Sequence, residues 1–157
     1  MKVIFLDFHG VIITYKSQNR LDKEKMKLVE YICKKTDAYI VITSSWRRST
    51  LEDTIKYITD TSHWSIPIPF IPIERVIGVT SRMFSFKGGD NKYHYRVARG
   101  VEIKRYLDDH EDIDKYVILD DDSDMLLEQA PYFIKTDAVE GLSKLDAEKA
   151  INILNDI

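Results

Sequence analysis

Five short apolar runs, rich in β-branched and aromatic residues, alternate along the chain with amphipathic stretches. Most of these runs are continuously apolar, which is typical of strands that are buried on both faces in a parallel sheet. We therefore expect strands at residues 3–6, 39–42, 76–79, 116–119 and 132–134.

The stretches between the runs carry apolar residues at helical spacing. They predict helices at residues 22–35, 50–57, 100–107 and 143–154. The alternation predicts an α/β fold with a doubly wound, Rossmann-like parallel sheet of about five strands and helices on both faces. Ligands of such sheets bind beyond the carboxyl ends of the strands, so the residues that directly follow each strand are the candidates for a site.

Composition limits the class of protein. A chain of 157 residues with 44% hydrophobic and 31% charged residues is typical of a globular protein, and it favours one domain over residues 1–157. The apolar runs are too short for a signal peptide or a membrane span, so we expect a cytoplasmic protein with no membrane partner. The single cysteine, Cys33, lies at helical spacing beside apolar neighbours and is expected in the core. The oligomeric state has no signature in the sequence.

The charge distribution indicates the class of ligand less strongly than the composition indicates the class of protein. The net charge of −3 provides no overall attraction to nucleic acid, but basic residues gather in 82–105 and acidic residues in 108–124. This asymmetry fits an anionic substrate beside a metal-binding acidic cluster, and it fits two solvated surfaces equally well.

Two segments between the second and fourth strands are expected to lie outside the sheet. Pro67, Pro69 and Pro72 exclude a regular helix or interior strand over residues 63–72. The run Gly88-Gly89-Asp90-Asn91 predicts a turn between two short hairpin strands within residues 84–96. Together these segments are candidates for a small flap over the site.

Three predicted strands end in polar residues. The first continues into Asp7-Phe8-His9-Gly10, the second into Thr43-Ser44-Ser45-Trp46-Arg47, and the fourth into Asp120-Asp121-Asp122-Ser123-Asp124. Parallel strands bring these ends to one edge of the sheet, so two acidic clusters would meet with a hydroxyl between them.

A phosphoryl-transfer site needs such a set of groups. A carboxylate can attack phosphorus when Mg²⁺ neutralises the charges of the enzyme and the phosphate. We expect Asp7 to be the nucleophile and Asp121 to hold the metal, while Thr43 or Ser44 donates a hydrogen bond to the phosphate. Gly10 lets the backbone turn sharply, so that nearby N–H groups can point at phosphate oxygens.

Two further residues after the second strand are candidates for substrate binding. Trp46 and Arg47 are suited to contact a base or a phosphate of a nucleotide. In the alternative interpretation Trp46 packs under the first helix and the arginines of this segment are solvated.

The strand-end motifs resemble those of the haloacid dehalogenase (HAD) superfamily. The run Ile4-Phe5-Leu6-Asp7-Phe8-His9-Gly10 resembles the first motif, Thr43 the second, and Asp120 with Asp121 the fourth, with Asp124 as a possible accessory acid. The segments Ser44-Ser45-Trp46-Arg47, Arg99-Gly100-x-Glu102-Ile103 and Thr136-Asp137 to Gly141-Leu142 resemble in particular the HAD domains of multidomain RNA-repair proteins.

The resemblance implies a Mg²⁺-dependent phosphatase that acts through an aspartyl-phosphate on Asp7. It implies metal ligands at Asp7, Asp120, Asp121 and the backbone carbonyl of His9. For the basic residue of the third motif, Arg99 matches best by position and Lys104 is second; a solvent-facing residue is the alternative for both.

The spacing of the motifs indicates a capless member or one with a small flap, because only one short helix separates the first two motifs. Capless relatives often act on large substrates such as nucleic-acid ends. The resemblance to HAD domains of RNA-repair proteins implies that the favoured substrate is a nucleotide or a terminal phosphomonoester of a nucleic acid.

The chain departs from the family pattern at His9, where family phosphatases carry the acid/base aspartate. Histidine titrates near neutrality, so His9 can replace the aspartate with a different pH profile. Alternatively phospho-Asp7 forms and is hydrolysed slowly, or the domain is a catalytically inactive binding or regulatory protein.

Overall fold

A parallel sheet forms the centre of the protein in the computed structural model, which describes residues 1–18, 20–60, 72–86 and 94–156. Five strands of the described chain build this sheet in the order β3-β2-β1-β6-β7, and all neighbouring pairs are parallel. The predicted fold class is confirmed. In chain order the strands are β1 (Lys2–Leu6), β2 (Tyr39–Ile42), β3 (Val76–Val79), β4 (Phe84–Phe86), β5 (His94–Arg96), β6 (Lys115–Asp120) and β7 (Phe133–Lys135).

Four α-helices of the described residues lie within a few residues of the predicted bounds. They begin where a side chain can accept the first free N–H groups: Asp22 caps the first helix, Thr50 the second and Ser143 the fourth. The helices are α1 (Lys23–Thr36), α2 (Leu51–Thr59), α3 (Arg99–Asp108) and α4 (Lys144–Asn155), with short 3₁₀ turns at Ile73–Arg75 and Leu127–Tyr132.

Helices cover both faces of the sheet, as predicted. Successive residues of a strand point to opposite faces, so Ile4 and Leu6 pack with α1 and α4, whereas Val3 and Phe5 pack with α3. Cys33 is buried in the first of these two clusters, and burial raises the pKa of its thiol to about 12. This agrees with the expected core position.

The strand order places the topological switch point between β1 and β6, because the chain fills β2 and β3 on one side of β1 before it crosses to β6 and β7. The residues that directly follow β3, β2 and β1 stand beside the last residue of β6. They form a strand-end row in the order Thr80, Thr43, Asp7 and Asp120, at neighbouring register positions. Neighbouring strands are about 4.8 Å apart, so this row sets the spacing of the candidate site.

Strands β4 and β5 form an antiparallel hairpin, with Phe84 opposite Arg96, which confirms the two predicted hairpin strands. The predicted turn at Gly88-Gly89-Asp90-Asn91 and the proline-rich segment up to residue 71 lie outside the described residues. The flap therefore stays a prediction. Within the described ranges, no helix combines the length and apolar character needed to cross a membrane.

Candidate active site

Three carboxylates converge at the switch point. Asp7, Asp120 and Asp121 each offer an oxygen, and these oxygens all lie within 4.8 Å of one another. Asp7 and Asp120 are buried, and Asp121 is half-buried. The parallel register of β1 and β6 brings together two acidic groups that are more than 100 residues apart in the sequence.

The guanidinium of Arg99 lies inside this cluster. Its Nη1 is 2.7 Å from Asp7 Oδ1 and 3.1 Å from Asp120 Oδ2. Burial lowers the pKa of Arg99, but the charges of Asp7 and Asp120 raise it by more, so the guanidinium stays protonated. Lys104, the second candidate for the basic residue, instead pairs with Asp108 one turn further along the exposed face of α3.

The start of α3 is fixed against the loop that follows β6. Asp124 accepts a hydrogen bond from the backbone N–H of Arg99 through Oδ2 (2.8 Å) and from that of Gly100 through its carbonyl (3.1 Å). The buried Gln129 donates from Nε2 to the carbonyl of Gly100 over 2.8 Å. Asp124, expected as an accessory acid, therefore caps the helix that presents Arg99.

Asp120 carries the most perturbed carboxyl among the described residues. Burial and the charge of Asp7 raise its pKa to about 7, although Arg99 lowers it. Its Oδ1 accepts a hydrogen bond from the N–H of Asp122 (2.9 Å). Its Oδ2 is buried and has no hydrogen-bond partner among the residues that the structure describes, although Arg99 Nη1 lies 3.1 Å from it.

This donor set fits a divalent cation. With all groups ionised, three carboxylates and one guanidinium leave the cluster with a formal charge of −2. Oxygen ligands of this kind suit hard cations such as Mg²⁺. The buried Oδ2 of Asp120 accepts no aligned hydrogen bond from the described residues, although Arg99 Nη1 lies 3.1 Å away, so this oxygen keeps an unused acceptor position for a metal ion.

His9 stands at the rim of the cluster and is exposed. The indole N–H of Trp46 donates to its Nε2 over 3.1 Å, and the two rings meet edge to face. A neutral His9 that accepts this bond carries its proton on Nδ1. Together with Asp121, His9 lines a small cavity of about 110 Å³, so the imidazole has not turned into the core.

Gly10 lies in the sharp turn after β1, as expected, and its own N–H is used within that turn. Its N–H donates to the carbonyl of Ile13 over 2.8 Å, so this donor does not point at a phosphate. Its φ is +71°, and a Cβ at this position would overlap the carboxyl group of Asp121. The absence of a side chain lets Asp121 approach the turn after β1.

Replacing Gly10 by alanine is expected to lower the free energy of unfolding by about 1–3 kcal/mol, because the new Cβ adopts a disfavoured φ and displaces Asp121. It should also remove any stabilisation of the protein by Mg²⁺. Urea unfolding with Mg²⁺ or EDTA measures both effects. Gly141→Ala is a matched control, since Gly141 also has a φ of +71° but contacts Thr14 and Val11 instead; loss of the Mg²⁺ effect in this variant too would contradict the assignment.

The two hydroxyls after β2 have different surroundings. Thr43 Oγ1 accepts a hydrogen bond from Arg99 Nη1 over 3.4 Å, which places this hydroxyl at the cluster. Ser44 Oγ accepts the N–H of Trp46 over 3.2 Å and stabilises the local turn. Of the two, Thr43 is in position to contact a phosphate held by Arg99.

Arg47 differs from both interpretations of the sequence, because it is neither solvated nor directed at a substrate. Its side chain is fully buried and forms an ion pair with the equally buried Glu102. It also donates to the carbonyls of Thr43, Ser44 and Thr80. Arg47 is therefore a positioning residue that ties the ends of β2 and β3 to α3.

Trp46 is half-buried and packs against the core cluster that lies on the α1 and α4 face of the sheet, and it is not directed at a substrate. Its ring also meets Phe8 and Tyr57 edge to face. The hydrogen bond from its indole N–H also fixes the orientation of the His9 ring.

Sequence reasoning missed two residues of this region. Glu102 was noted only as part of a motif, and its burial as the partner of Arg47 has no signal in a single sequence. Thr80 follows β3 directly, so the rule that selected Asp7 and Thr43 would have found it.

Four features define a domain of the HAD superfamily. They are the sheet order, the acidic cluster at the switch point, the Thr43 hydroxyl, and Arg99 at the start of α3. Residues 3–147 match the family described as the HAD domain in Swiss Army Knife RNA repair proteins, and the chain belongs to this family. Searches of curated proteins and of solved structures found no significant match. Family membership supports phosphohydrolase chemistry in general, and the acidic cluster fits the divalent metal that is typical of HAD domains.

Proposed function

We propose that this protein is a Mg²⁺-dependent phosphohydrolase that acts through an aspartyl-phosphate on Asp7. The observation that carries the proposal is the convergence of three carboxylates with Arg99 at the switch point. Its favoured substrate is a terminal phosphomonoester of a nucleotide or nucleic acid, a choice supported by the RNA-repair family to which the chain belongs.

The metal would be held by the carboxylates of Asp7, Asp120 and Asp121 and, by resemblance to the superfamily, by the backbone carbonyl of His9. Bound Mg²⁺ would neutralise charge on the phosphate and on the acidic cluster. The negative charge of the cluster and the unused acceptor position on Asp120 Oδ2 support this ligand set.

The reaction has two steps. A carboxylate oxygen of Asp7 attacks phosphorus, the bond from phosphorus to the ester oxygen breaks, and the leaving oxygen takes up a proton. Water then attacks the phosphorus of phospho-Asp7, gives up a proton, and releases inorganic phosphate and the Asp7 carboxylate. Arg99 and the Thr43 hydroxyl would bind the phosphoryl oxygens, where charge develops in both steps.

His9 is the proposed proton donor and acceptor. While Nε2 accepts the indole N–H of Trp46, the neutral ring already carries its proton on Nδ1, so proton transfer through Nδ1 requires this hydrogen bond to open and Nε2 to take up a proton. The same hydrogen bond also favours the second candidate function, a binding or regulatory HAD domain with little activity, because it holds the imidazole at the rim.

The experiment that tests the proposal is phosphate release from a panel of phosphomonoesters in Mg²⁺ or in EDTA. The panel includes mononucleotides and oligonucleotides with 3′- or 5′-terminal phosphates. Release in Mg²⁺ that is lost in EDTA supports the phosphohydrolase. Absence of release across the whole panel, with the protein folded and Mg²⁺ bound, would favour the binding protein.

His9→Ala is expected to slow turnover by about 10²–10⁴-fold, the usual contribution of general acid–base catalysis. His9→Asp should retain most activity and shift the pH optimum downward, because aspartate titrates well below histidine. Steady-state phosphate release from pH 5 to 9 measures both. Trp46→Phe tests the contribution of the hydrogen bond to His9 separately, since it removes the donor to Nε2 and keeps an aromatic ring. An inert wild type that His9→Asp activates would show that the native protein is not a working phosphatase.

A further inference from the structure

A second polar cavity opens at the same edge of the sheet, at the carboxyl end of β3. Its volume is about 620 Å³, and we call it the β3 cleft. It is lined by Arg47, Arg48, Ser49, Asp53, Val79, Thr80, Ser81 and Arg82. The catalytic proposal uses none of these side chains to contact the reacting phosphate.

Thr80 gives the first indication of a ligand. Thr80 is 1% exposed and is one of the residues that line the cleft, yet its Oγ1 has no hydrogen-bond partner among the described residues. Buried hydroxyls are nearly always satisfied, because an unpaired one costs roughly 1–3 kcal/mol. The Thr80 hydroxyl is therefore available to donate a hydrogen bond to a ligand in the cleft.

The charge of the cleft indicates the class of that acceptor. Arg48 and Arg82 are exposed, and the Arg48 guanidinium lies 3.7 Å from the centroid of the Tyr57 ring, which limits its freedom. Arg82 donates from Nη2 to the backbone carbonyls of Ser45 and Arg47.

The arginines of this region are close enough to act on one another. The positive charges of Arg99, Arg82 and Arg96 each lower the pKa of Arg47, beyond the larger effect of burial. Glu102 balances Arg47, and Asp53 is the one acidic residue among the described residues that line the cleft. The cleft therefore has an excess of positive charge, which favours an anion.

The strand-end row fixes the position of the cleft relative to the nucleophile. Thr80 follows β3, Thr43 follows β2 and Asp7 follows β1, so Thr80 is two strand spacings, or about 10 Å, from Asp7. The loop from Thr43 to Arg48 borders both the acidic cluster and the cleft. One continuous substrate can contact both places.

We propose that the β3 cleft binds an internucleotide phosphate of a polynucleotide strand whose terminal phosphate lies at Asp7. Thr80 and Arg48 are the principal donors, with Arg82 beside them. The assignment rests on the proposed function. It adds a strand-binding subsite that a mononucleotide cannot fill, and it makes the enzyme selective for strand ends over free nucleotides.

Binding is measured without turnover, in an Asp7→Asn background with Mg²⁺, by fluorescence anisotropy of a labelled tetranucleotide with a terminal phosphate. A nucleoside monophosphate and a nucleoside 3′,5′-bisphosphate serve as competitors. Thr80→Val removes only the hydroxyl, and Arg48→Ala removes one charge. Arg105→Ala is the matched control, because this exposed arginine pairs with Asp109 near the far end of α3.

Thr80→Val is expected to weaken tetranucleotide binding about fivefold, and Arg48→Ala about tenfold, as expected for a neutral and a charged hydrogen bond. Arg48→Ala should also reduce the slope of log affinity against log salt by about 0.7, whereas Thr80→Val should leave the slope unchanged. Neither change should alter competition by the monophosphate, and Arg105→Ala should behave like the parent.

Tetranucleotide affinities within twofold of the parent in both variants would overturn the assignment. Equal weakening of monophosphate binding would also overturn it, by placing Thr80 at the terminal phosphate. The bisphosphate could instead compete as strongly as the tetranucleotide and with the same sensitivity to Thr80→Val. That result would overturn the assignment, because the ligand of the cleft would then be a small nucleotide and not a polynucleotide strand. A lower urea midpoint for Thr80→Val would show that the hydroxyl has a structural role.

These results are independent of hydrolysis. If the wild type releases no phosphate but the tetranucleotide binds with the expected sensitivities, the cleft assignment holds and the phosphohydrolase proposal fails. If phosphate is released but tetranucleotide affinity is unchanged in Thr80→Val and Arg48→Ala, the phosphohydrolase proposal holds and the cleft assignment fails.

Discussion

Asp7→Asn is expected to reduce phosphate release by at least about 10⁴-fold while the protein stays folded. The amide has nearly the shape of the carboxylate but lacks the nucleophilic oxygen, so no aspartyl-phosphate can form. The substitution also removes a charge that raises the pKa of both Asp120 and Asp121. The metal-free variant should therefore be at least as stable as the parent, since repulsion within the cluster is smaller.

Two measurements separate these effects: phosphate release in Mg²⁺, and urea unfolding in EDTA. The matched control is Asp122→Asn, because Asp122 lies on the same loop but is exposed, and its Oδ1 accepts only the N–H of Ser123 among the described contacts. We expect this control to retain activity within a few-fold. The role of Asp7 as nucleophile would be contradicted if Asp7→Asn released phosphate at the wild-type rate. It would also be contradicted if Asp7→Asn and Asp122→Asn lost activity equally.

Arg47→Met is expected to lower the free energy of unfolding by about 3–5 kcal/mol, because it leaves the carboxylate of Glu102 buried without its cation. The carbonyls of Thr43, Ser44 and Thr80 also lose a donor. Burial lowers the pKa of Arg47 to about 10 although Glu102 raises it, so the guanidinium stays protonated at neutral pH. The effect should therefore be present throughout pH 6–8.

Urea unfolding at pH 7 measures the loss, with Arg48→Met as the control. Arg48 is the exposed neighbour of Arg47, and its replacement should change stability by no more than about 1 kcal/mol, the usual size of an exposed cation–π contact such as the one it makes with Tyr57. If Arg47→Met does not fold, Glu102→Gln tests the same pair more mildly, because the amide can still accept the N–H of Met83 that now bonds to Glu102 (3.0 Å). A loss below about 1 kcal/mol in both variants would contradict the importance of the buried pair.

The elements of the fold were readable from the sequence because each has a local cause. Continuous apolar runs predict buried parallel strands, and β1, β2, β3, β6 and β7 all lie within two residues of the predicted bounds. Caps such as Asp22 and Ser143 determine where helices begin. Only the strand order needed the structure, because pairing depends on contacts between distant parts of the chain.

Some features of the candidate site were likewise predicted from the sequence, and others needed the structure. Its position beyond the strand ends, and the meeting of Asp7 with Asp120 and Asp121, follow from parallel strands and were predicted from the sequence. The choice of Arg99 over Lys104 depended on which face of α3 each residue occupies. The spacing of the residues along the chain left both candidates open.

Arg47 shows most clearly what only the tertiary structure decides. In the sequence it is one of two neighbouring arginines suited to bind phosphate, but the fold buries one against Glu102 and leaves the other at the β3 cleft. The sequence by itself determined the element types, the acidic strand ends and the family motifs, because these depend on local periodicity and residue chemistry. The tertiary structure decided which polar groups are paired, buried or left without a partner, since burial and ion pairing arise only when segments far apart in the chain pack together.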